Sequence, residues 1–542
     1  MTSSAAAKPA PPGNITSLLA HHAGRTPAAT ALIAGDERID WATLEDRARR
    51  AARGLHDLGV RNGDRVALWL PNLPAYIVLY LACCRLGAIA VAVNTRFRSV
   101  EVADIVSRSG AVVLACAPGF RRIDFLEILA GIDPAALDRL KAVIAVDTPG
   151  AATPTTLPPA IERLRRVSYD DVVGVAPFDR VQGGADSGCN IFTTSGTTRA
   201  PKFVLHRQGA ILAHSLRVAR AFGYATPDMI GMGWLPFCGV YGFNVAVSTL
   251  AAGKPLVLFE TFEPDEAVRA IATHKPTALF GSDDIVDRLL AAAPKGELAF
   301  PSVKFSSYAV FNNALADVID RADARGLKLI GLYGMSEVQA LFSRWRPEQP
   351  IDVRRVGGGM PVSPLAHARA RDTETGELLP PGRSGEIELL GPSMMVGYFG
   401  DQAATDAAFT EDRYLKTGDA GHVNEDGSFV FEARMGDTLR LSGFLVNPLE
   451  IESHLQEHHA VLAAQVVAVP RVDGVKLVAF VVPRPGAGFD EADVIAHARK
   501  GLANFKTPVR AFPVEEFPTT PSANGTKIQR AKLRQMAIER LG

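Results

Sequence analysis

Cysteine is scarce in this 542-residue chain: Cys83, Cys84, Cys116, Cys189 and Cys238 are odd in number and include no C-x-x-C pair. That excludes a disulfide framework and a thiolate zinc site, and makes the cytoplasm the expected compartment. Neither sign of charge is in excess, with 58 Lys plus Arg against 58 Asp plus Glu. No global field therefore draws the chain to nucleic acid or to an anionic bilayer, and a bound polyanion must be gripped locally. Long apolar runs are missing as well. The most hydrophobic stretch, Tyr76 to Val93, is broken by Arg85 and Gly87 and follows Pro71 and Pro74, which argues against a membrane span. The first residues, Met1 to Gly13, carry no apolar run behind a basic start, so a secretory signal is not expected and the segment reads as a mobile arm. No nucleic-acid partner and no integral membrane association are expected; a homodimer is left open.

Several catalytic signatures are absent too. Without G-x-x-x-x-G-K-[ST] spacing, the P-loop NTPase reading loses its main support. No Ser-His-Asp order or nucleophile elbow offers hydrolase chemistry a foothold, and no internal repeat is present. His454 and His458 stand four residues apart on an expected helix, but without H-E-x-x-H or a third ligand they read as an exposed helix face rather than a metal site.

What is present is globular: 47% hydrophobic and 21% charged residues, in a chain too long for one ordinary core, imply two or more folding units. Leu44, Ala48, Ala51, Leu55 and Leu58 recur at spacings of four and three among charged residues, which predicts an amphipathic helix. Arg65 to Leu70 reads as a strand. The alternation continues with a helix over 101–107 and a strand over 111–115, then a helix over 209–221 and a strand over 255–260. An α/β class with mainly parallel, buried strands follows, in a large multi-layered N-terminal domain. Residues 147–160, rich in Pro, Thr and Ala, read as a surface connection. A stronger break lies at Ala433 to Asp437. Beyond it, Leu449 to Glu457, Lys476 to Val482 and Glu491 to Gly501 read as helix, strand and helix of a small, mobile α+β lobe. The expected division is an arm at 1–14, a large domain at 15–434 and a C-terminal lid at 435–542.

Five segments carry the chemistry. Asn190-Ile-Phe-Thr-Thr-Ser-Gly-Thr-Thr-Arg-Ala-Pro-Lys202 crowds hydroxyls, a permissive Gly and a Lys behind an expected strand, a composition that can wrap phosphate oxygens. Gly331-Leu-Tyr-Gly-Met-Ser-Glu337 joins close-approach glycines to a ring, a hydroxyl and a carboxylate. Tyr414 to Asp419 supplies an acid after a Gly turn. Glu432-Ala-Arg434 leads into Ser442-Gly-Phe444 and the segment ending at Glu452, and Asn524-Gly-Thr-Lys-Ile-Gln-Arg530 closes the set.

In this order and at these separations, the segments resemble the acyl-adenylate-forming superfamily of acyl-CoA synthetases, coumarate-CoA ligases, luciferase-like enzymes and nonribosomal adenylation domains, over about residues 15–535. The resemblance implies an AMP-forming ligase whose substrates are a carboxylic acid, ATP and coenzyme A, with Mg²⁺. It implies that Thr193, Thr194, Ser195, Gly196, Thr197, Thr198 and Lys202 hold the β- and γ-phosphates, with Thr194 or Ser195 central. Glu337 would bind Mg²⁺ with phosphate, a hard oxygen ligand for a hard cation. Tyr333, Gly334 and Ser336 would border the nucleotide, and Asp419 and Arg434 would meet the ribose. Lys527 would set an ammonium between the carboxylate and the α-phosphate, and Ser442, Gly443 and Phe444 would flank a pantetheine tunnel.

The chain departs from the family pattern in places. Thr526 separates Gly525 from Lys527, which are commonly adjacent. Gly436 stands at a hinge position that usually holds Asp or Lys, and Gly239 where related enzymes often carry His; His214 or Tyr241 are the residues that could stand in for it. Ala309-Val-Phe-Asn312 replaces the usual Gly-Gly-Ala-Pro, which would put Val310 and Phe311 near the acyl pocket. Phe243, Asn244, Asp283 and Val338 to Leu341 are further pocket candidates, and a medium-chain, cyclic or aromatic acid is preferred. Two rivals remain: an adenylation enzyme that loads a carrier-protein thiol, and a non-catalytic nucleotide-binding homologue.

Overall fold

The computed structural model describes residues 12–148, 156–194, 201–296, 298–310, 315–435, 439–441, 444–446, 448–471, 474–502, 506–522 and 525–541. Three sheets build the large N-terminal domain. An eight-stranded sheet runs through Gly397–Tyr398, Phe203–Arg207, Gly188–Thr193, Ile89–Ala92, Arg65–Trp69, Ala111–Cys116, Ala142–Ala145 and Arg165–Ser168. Its strands pair in parallel except where Phe203–Arg207 meets its two neighbours. The apolar stretch around Arg85 is the buried helix Pro74–Leu86, closed by left-handed Gly87, followed by the buried strand Ile89–Ala92. Among the described residues no helix is long and apolar enough to cross a membrane.

The second, nine-stranded sheet is parallel only across Ala278–Ser282, Phe305–Ala309 and Leu329–Tyr333. From there it runs antiparallel through Ser343–Arg344, Gly358–Pro361, Phe429–Arg434, Leu415–Val423, Gly385–Leu390 and His367–Arg371. The expected parallel pairing thus stops at Tyr333. Beyond it every neighbour is antiparallel, although the helices Ile351–Arg354 and Gln402–Ala408 lie in two of the connections. A four-stranded sheet, Gly231–Gly233, Leu256–Leu258, Thr30–Ala34 and Glu37–Asp40, completes the body.

The predicted helices stand with small extensions: Trp41–Asp57, Ser99–Ser109 and Gln208–Ala221. Asn14, assigned to the arm, instead caps the helix Ile15–Arg25, accepting from the Ser17 N–H in a reciprocal capping box.

The small C-terminal domain is built on Val461–Arg471, Gly474–Pro483 and Arg510–Pro513. The first of these strands escaped the sequence reading. Side chains alternate across the sheet, so Val466 packs with Ile451, Leu455, Val494 and Ala498 on one face, while Val467 packs with Leu533 and Ala537 on the other. Helices Pro448–Gln456 and Glu491–Gly501 cover the first face and Arg530–Leu541 the second. Arg530, the last residue of the Asn524 segment, is not left to solvent. It instead donates to both carboxylate oxygens of fully buried Glu452, at 2.7 and 3.0 Å, and to the Val466 carbonyl at 3.0 Å.

Candidate functional site

Two groups of polar side chains meet where the strand Leu329–Tyr333 leaves the second sheet. Glycine is required there by close approach: a Cβ on Gly331 would stand 2.0 Å from the Val356 carbonyl oxygen, and one on Gly334 2.5 Å from the Ala340 Cα.

Tyr333 anchors the first group. Its hydroxyl donates to Asp419 Oδ2 at 2.6 Å, and its ring packs edge-on against Phe429 and tilted on Phe431. Burial, then the neighbouring carboxylate charge, pushes the phenol well above its usual range, so it stays a donor. Asp419 is 3% exposed, and its other oxygen lies 3.4 Å from Arg434 Nε. Cross-strand register explains the pair, because Asp419 stands directly opposite Arg434. Gly418, at φ 68°, turns the chain just before the acid.

The second group centres on Glu337, a carboxylate only 7% exposed. Tyr398 donates to its Oε1 at 2.9 Å, and the Lys202 ammonium lies 4.5 Å from the Tyr398 ring centroid. Sequence reading missed Tyr398, whose two-residue strand carries no periodicity. Tyr398 pairs opposite Val204, and that register brings it beside Lys202. Thr194 and Lys202 clasp the ends of the hydroxyl-rich turn: the Thr194 N–H donates to the Lys202 carbonyl at 3.0 Å, and the Lys202 N–H to Thr194 Oγ1 at 3.3 Å. Thr193 ends the strand Gly188–Thr193. Ser195, Gly196, Thr197 and Thr198 lie outside the described residues.

The loop after Glu337 is strained. Gln339, Ala340 and Leu341 are left-handed at φ 64°, 52° and 44°, a conformation that costs each non-glycine residue about 1–2 kcal/mol. Two fully buried histidines brace it. His206 Nε2 donates to the Ser336 carbonyl at 2.8 Å and His214 Nε2 to the Ala340 carbonyl at 2.9 Å. Burial lowers both rings to about 4, so both are neutral near pH 7. With His214 so engaged, and the Tyr241 hydroxyl 3.3 Å from the Gly281 and Ser307 carbonyls, neither replaces a polar wall at Gly239. Phe243, Asn244, Asp283, Val338, Gln339 and Leu341 are buried, whereas Val310 is 46% exposed. Phe311 and Asn312 lie outside the described residues.

Lys527 sits on the strand Gly525–Ile528, opposite Thr520; its side chain lies outside the described residues. Phe444 begins the strand Phe444–Val446, while Ser442, Gly443 and Gly436 fall outside the description. The structure thus unites Tyr333, Asp419 and Arg434, and unites Glu337, Tyr398 and Lys202. Glu337 fits a hard divalent cation by its chemistry, a nearly buried carboxylate held by one phenolic donor.

Comparison with known proteins matches residues 19–399 to the AMP-binding enzyme family and residues 450–524 to the AMP-binding enzyme C-terminal domain. The chain is 34% identical over 520 residues to the 3-[(3aS,4S,7aS)-7a-methyl-1,5-dioxo-octahydro-1H-inden-4-yl]propanoyl:CoA ligase of Mycobacterium tuberculosis, covering 94% of this chain and 96% of that protein. It is 29% identical over 525 residues to a feruloyl-CoA synthase of an Amycolatopsis species, with coverage of 94% and 96%. Among solved structures, ATP-bound MatB from Rhodopseudomonas palustris aligns with a TM-score of 0.84 at 27% identity, across 98% of this chain and all of that one.

Proposed function

Because the chain belongs to the AMP-binding enzyme family and is an AMP-forming acid:CoA ligase, we propose that its two polar groups and Lys527 divide the work on one ATP molecule. A carboxylate is a poor acyl donor, since its leaving group would be oxide. Attack of its oxygen on the α-phosphorus expels pyrophosphate and forms an acyl-adenylate. Attack of the CoA thiolate on the acyl carbon then expels AMP and forms the thioester. The difficulty of the first step is like charge meeting like charge, so positive charge must be strongest in its transition state. We assign that role to Lys527, carried in by the C-terminal domain.

In this reading the turn from Thr193 to Thr198, with Lys202, holds the β- and γ-phosphates. Glu337 would hold Mg²⁺, which when bound supplies charge neutralisation to the phosphates. Tyr398 orients that carboxylate, Tyr333 fixes Asp419 and borders the adenine with Gly334 and Ser336, and Asp419 with Arg434 takes the ribose hydroxyls. Ser442, Gly443 and Phe444 flank the incoming thiol. The domain boundary falls after Arg434, the last residue of a body strand. Gly436 then serves as a hinge that absorbs rotation without favouring either state. The convergence of Tyr333 and Glu337 on one strand end, each hydrogen-bonded to a partner from another segment, is the observation that carries this reading.

For the acid we favour a ring-bearing substrate. Two of its relatives are named for a bicyclic propanoate and for ferulate, and the Phe192, Phe243 and Tyr80 rings pack together in this body. The deciding experiment screens carboxylic acids for pyrophosphate release, then follows thioester formation with free CoA against a holo carrier protein. Thioester on CoA from a cyclic or aryl acid is expected. Transfer to the carrier alone would favour the carrier-loading rival, and the absence of pyrophosphate release with every acid would favour a non-catalytic homologue.

A further inference from the structure

The small domain carries a cluster of histidines that the adenylation chemistry does not use. From sequence, His454 and His458 have no third partner. The fold corrects this in two ways. Helix Pro448–Gln456 ends before His458, so the two do not share a helix face. His497, from helix Glu491–Gly501, comes to lie against His454 instead, its ring stacked at 4.6 Å and 13°. A ring nitrogen of each and a carboxylate oxygen of Glu457 all fall within 4.8 Å of one another.

The hydrogen bonds set the tautomers. His454 Nε2 donates to the His497 carbonyl at 3.2 Å, and His497 Nε2 donates to the His454 carbonyl at 2.9 Å. Each imidazole therefore gives its Nε2 proton to backbone, which leaves Nδ1 as the nitrogen a metal ion could take. Metal-ligating histidines are oriented in the same way, with the other ring N–H given to a carbonyl or carboxylate. His454 Nδ1 lies 3.1 Å from Glu457 Oε2, a contact that without metal is held by a proton, and a metal ion would take that proton's place. A neighbouring trio, His458, His459 and Asp493, is less suited. His458 Nδ1 accepts from the Ala460 N–H at 3.3 Å, so it cannot hold the ring proton it would need if Nε2, 3.1 Å from Asp493, gave its own up to a metal.

We propose that His454, Glu457 and His497 form a binding site for a zinc-class transition metal ion, with water completing the shell. Two imidazoles and a carboxylate match zinc, cobalt or nickel and are a poor set for Mg²⁺ or Ca²⁺. Bonds of about 2.0–2.2 Å require the ligand atoms to draw in by roughly 1 Å. Glu457, with its side chain 67% exposed, is free to turn inward. The site joins the two helices that cover one face of the sheet, and Ile528, next to Lys527, packs with the core of the opposite face. A bound ion would brace the small domain without touching the proposed adenylation residues.

The test uses full-length, tag-free, chelator-treated protein without nucleotide. Titration with CoCl₂ should give a visible d–d band saturating at one equivalent and displaced by ZnCl₂, and ZnCl₂ should raise the Tm. His454→Ala and His497→Ala should each weaken zinc binding at least tenfold, and His458→Ala should leave it unchanged. If either alanine variant fails to fold, exposed Glu457→Gln carries the test, with a weaker band and a lost Tm shift expected. Absence of saturable binding, affinity unaffected by His454→Ala and His497→Ala or, where that variant carries the test, by Glu457→Gln, or loss of affinity on His458→Ala alone would each overturn the site.

Discussion

The loop beside Glu337 and the small domain hold their buried polar groups by different means, although elsewhere in the body fully buried Glu388 is also met by Arg369 and Arg371. In the body, two neutral histidines donate to the carbonyls of a strained loop, and the carboxylate at its start is held by a phenol. In the small domain, a fully buried glutamate is neutralised by an arginine from another helix. The body can use neutral donors because its core is continuous and thick enough to keep histidines dry and unprotonated. The small domain, a three-stranded sheet with thin cores on either side, ties its elements together with charge. Acid should therefore strike the histidine-braced loop, and deletion of one charge should strike the small domain.

The largest expected effect is acid destabilisation. His206 and His214 titrate at about 4 in the folded protein, against an ordinary value of 6.5. The unfolded chain therefore binds protons that the folded chain refuses, and stability falls as pH drops from about 6.5 to 4, then levels with respect to these groups. Each ring contributes up to about 3 kcal/mol over that window. Denaturant midpoints measured between pH 7 and 4 should show the loss, and His214→Gln should flatten the profile. An unchanged slope would break the body's side of the contrast.

Next comes Glu452→Ala, which removes the carboxylate that takes two charge-assisted hydrogen bonds from Arg530, at a cost of about 3–5 kcal/mol. Hydrogen exchange should accelerate across 448–541 and stay as it was in the body. Lys527→Ala should slow acyl-adenylate formation by roughly 10²–10³-fold, about 2.7–4 kcal/mol, while sparing thiol attack on a preformed adenylate. Equal damage to both steps would sink the idea that the small domain presents different residues in the two half-reactions. The smallest effect is Tyr398→Phe, which removes one hydrogen bond to a carboxylate, worth about 1.5–3 kcal/mol. Adenylation should slow about tenfold to a hundredfold, with a shifted Mg²⁺ dependence and a modestly lowered Tm.

Much of this was legible in the chain. Helical periodicity located Trp41–Asp57 and Glu491–Gly501 to within a few residues, because one face of each is packed and the other solvated. The ordered motifs contained Glu337, Tyr333, Asp419 and Arg434, which the fold then paired or clustered. What escaped depends on register between distant segments. Tyr398 reaches Glu337 only because a two-residue strand adds to Phe203–Arg207, and His497 meets His454 only through helix packing. Arg530 meets Glu452 only because helices far apart in sequence cover the two faces of one sheet. The switch from parallel to antiparallel pairing after Tyr333 was hidden for a related reason, since strand direction is set by the connections rather than by the strands themselves.

The central claim is that a covalent acyl-adenylate forms before any thiol is engaged. Acid-dependent exchange of labelled pyrophosphate into ATP, measured with an accepted acid and Mg²⁺ but without CoA, tests it directly. The account predicts exchange at a rate comparable to turnover, followed by release of AMP and thioester when CoA is added. Exchange that requires CoA, or products of ADP and phosphate in place of AMP and pyrophosphate, would contradict it.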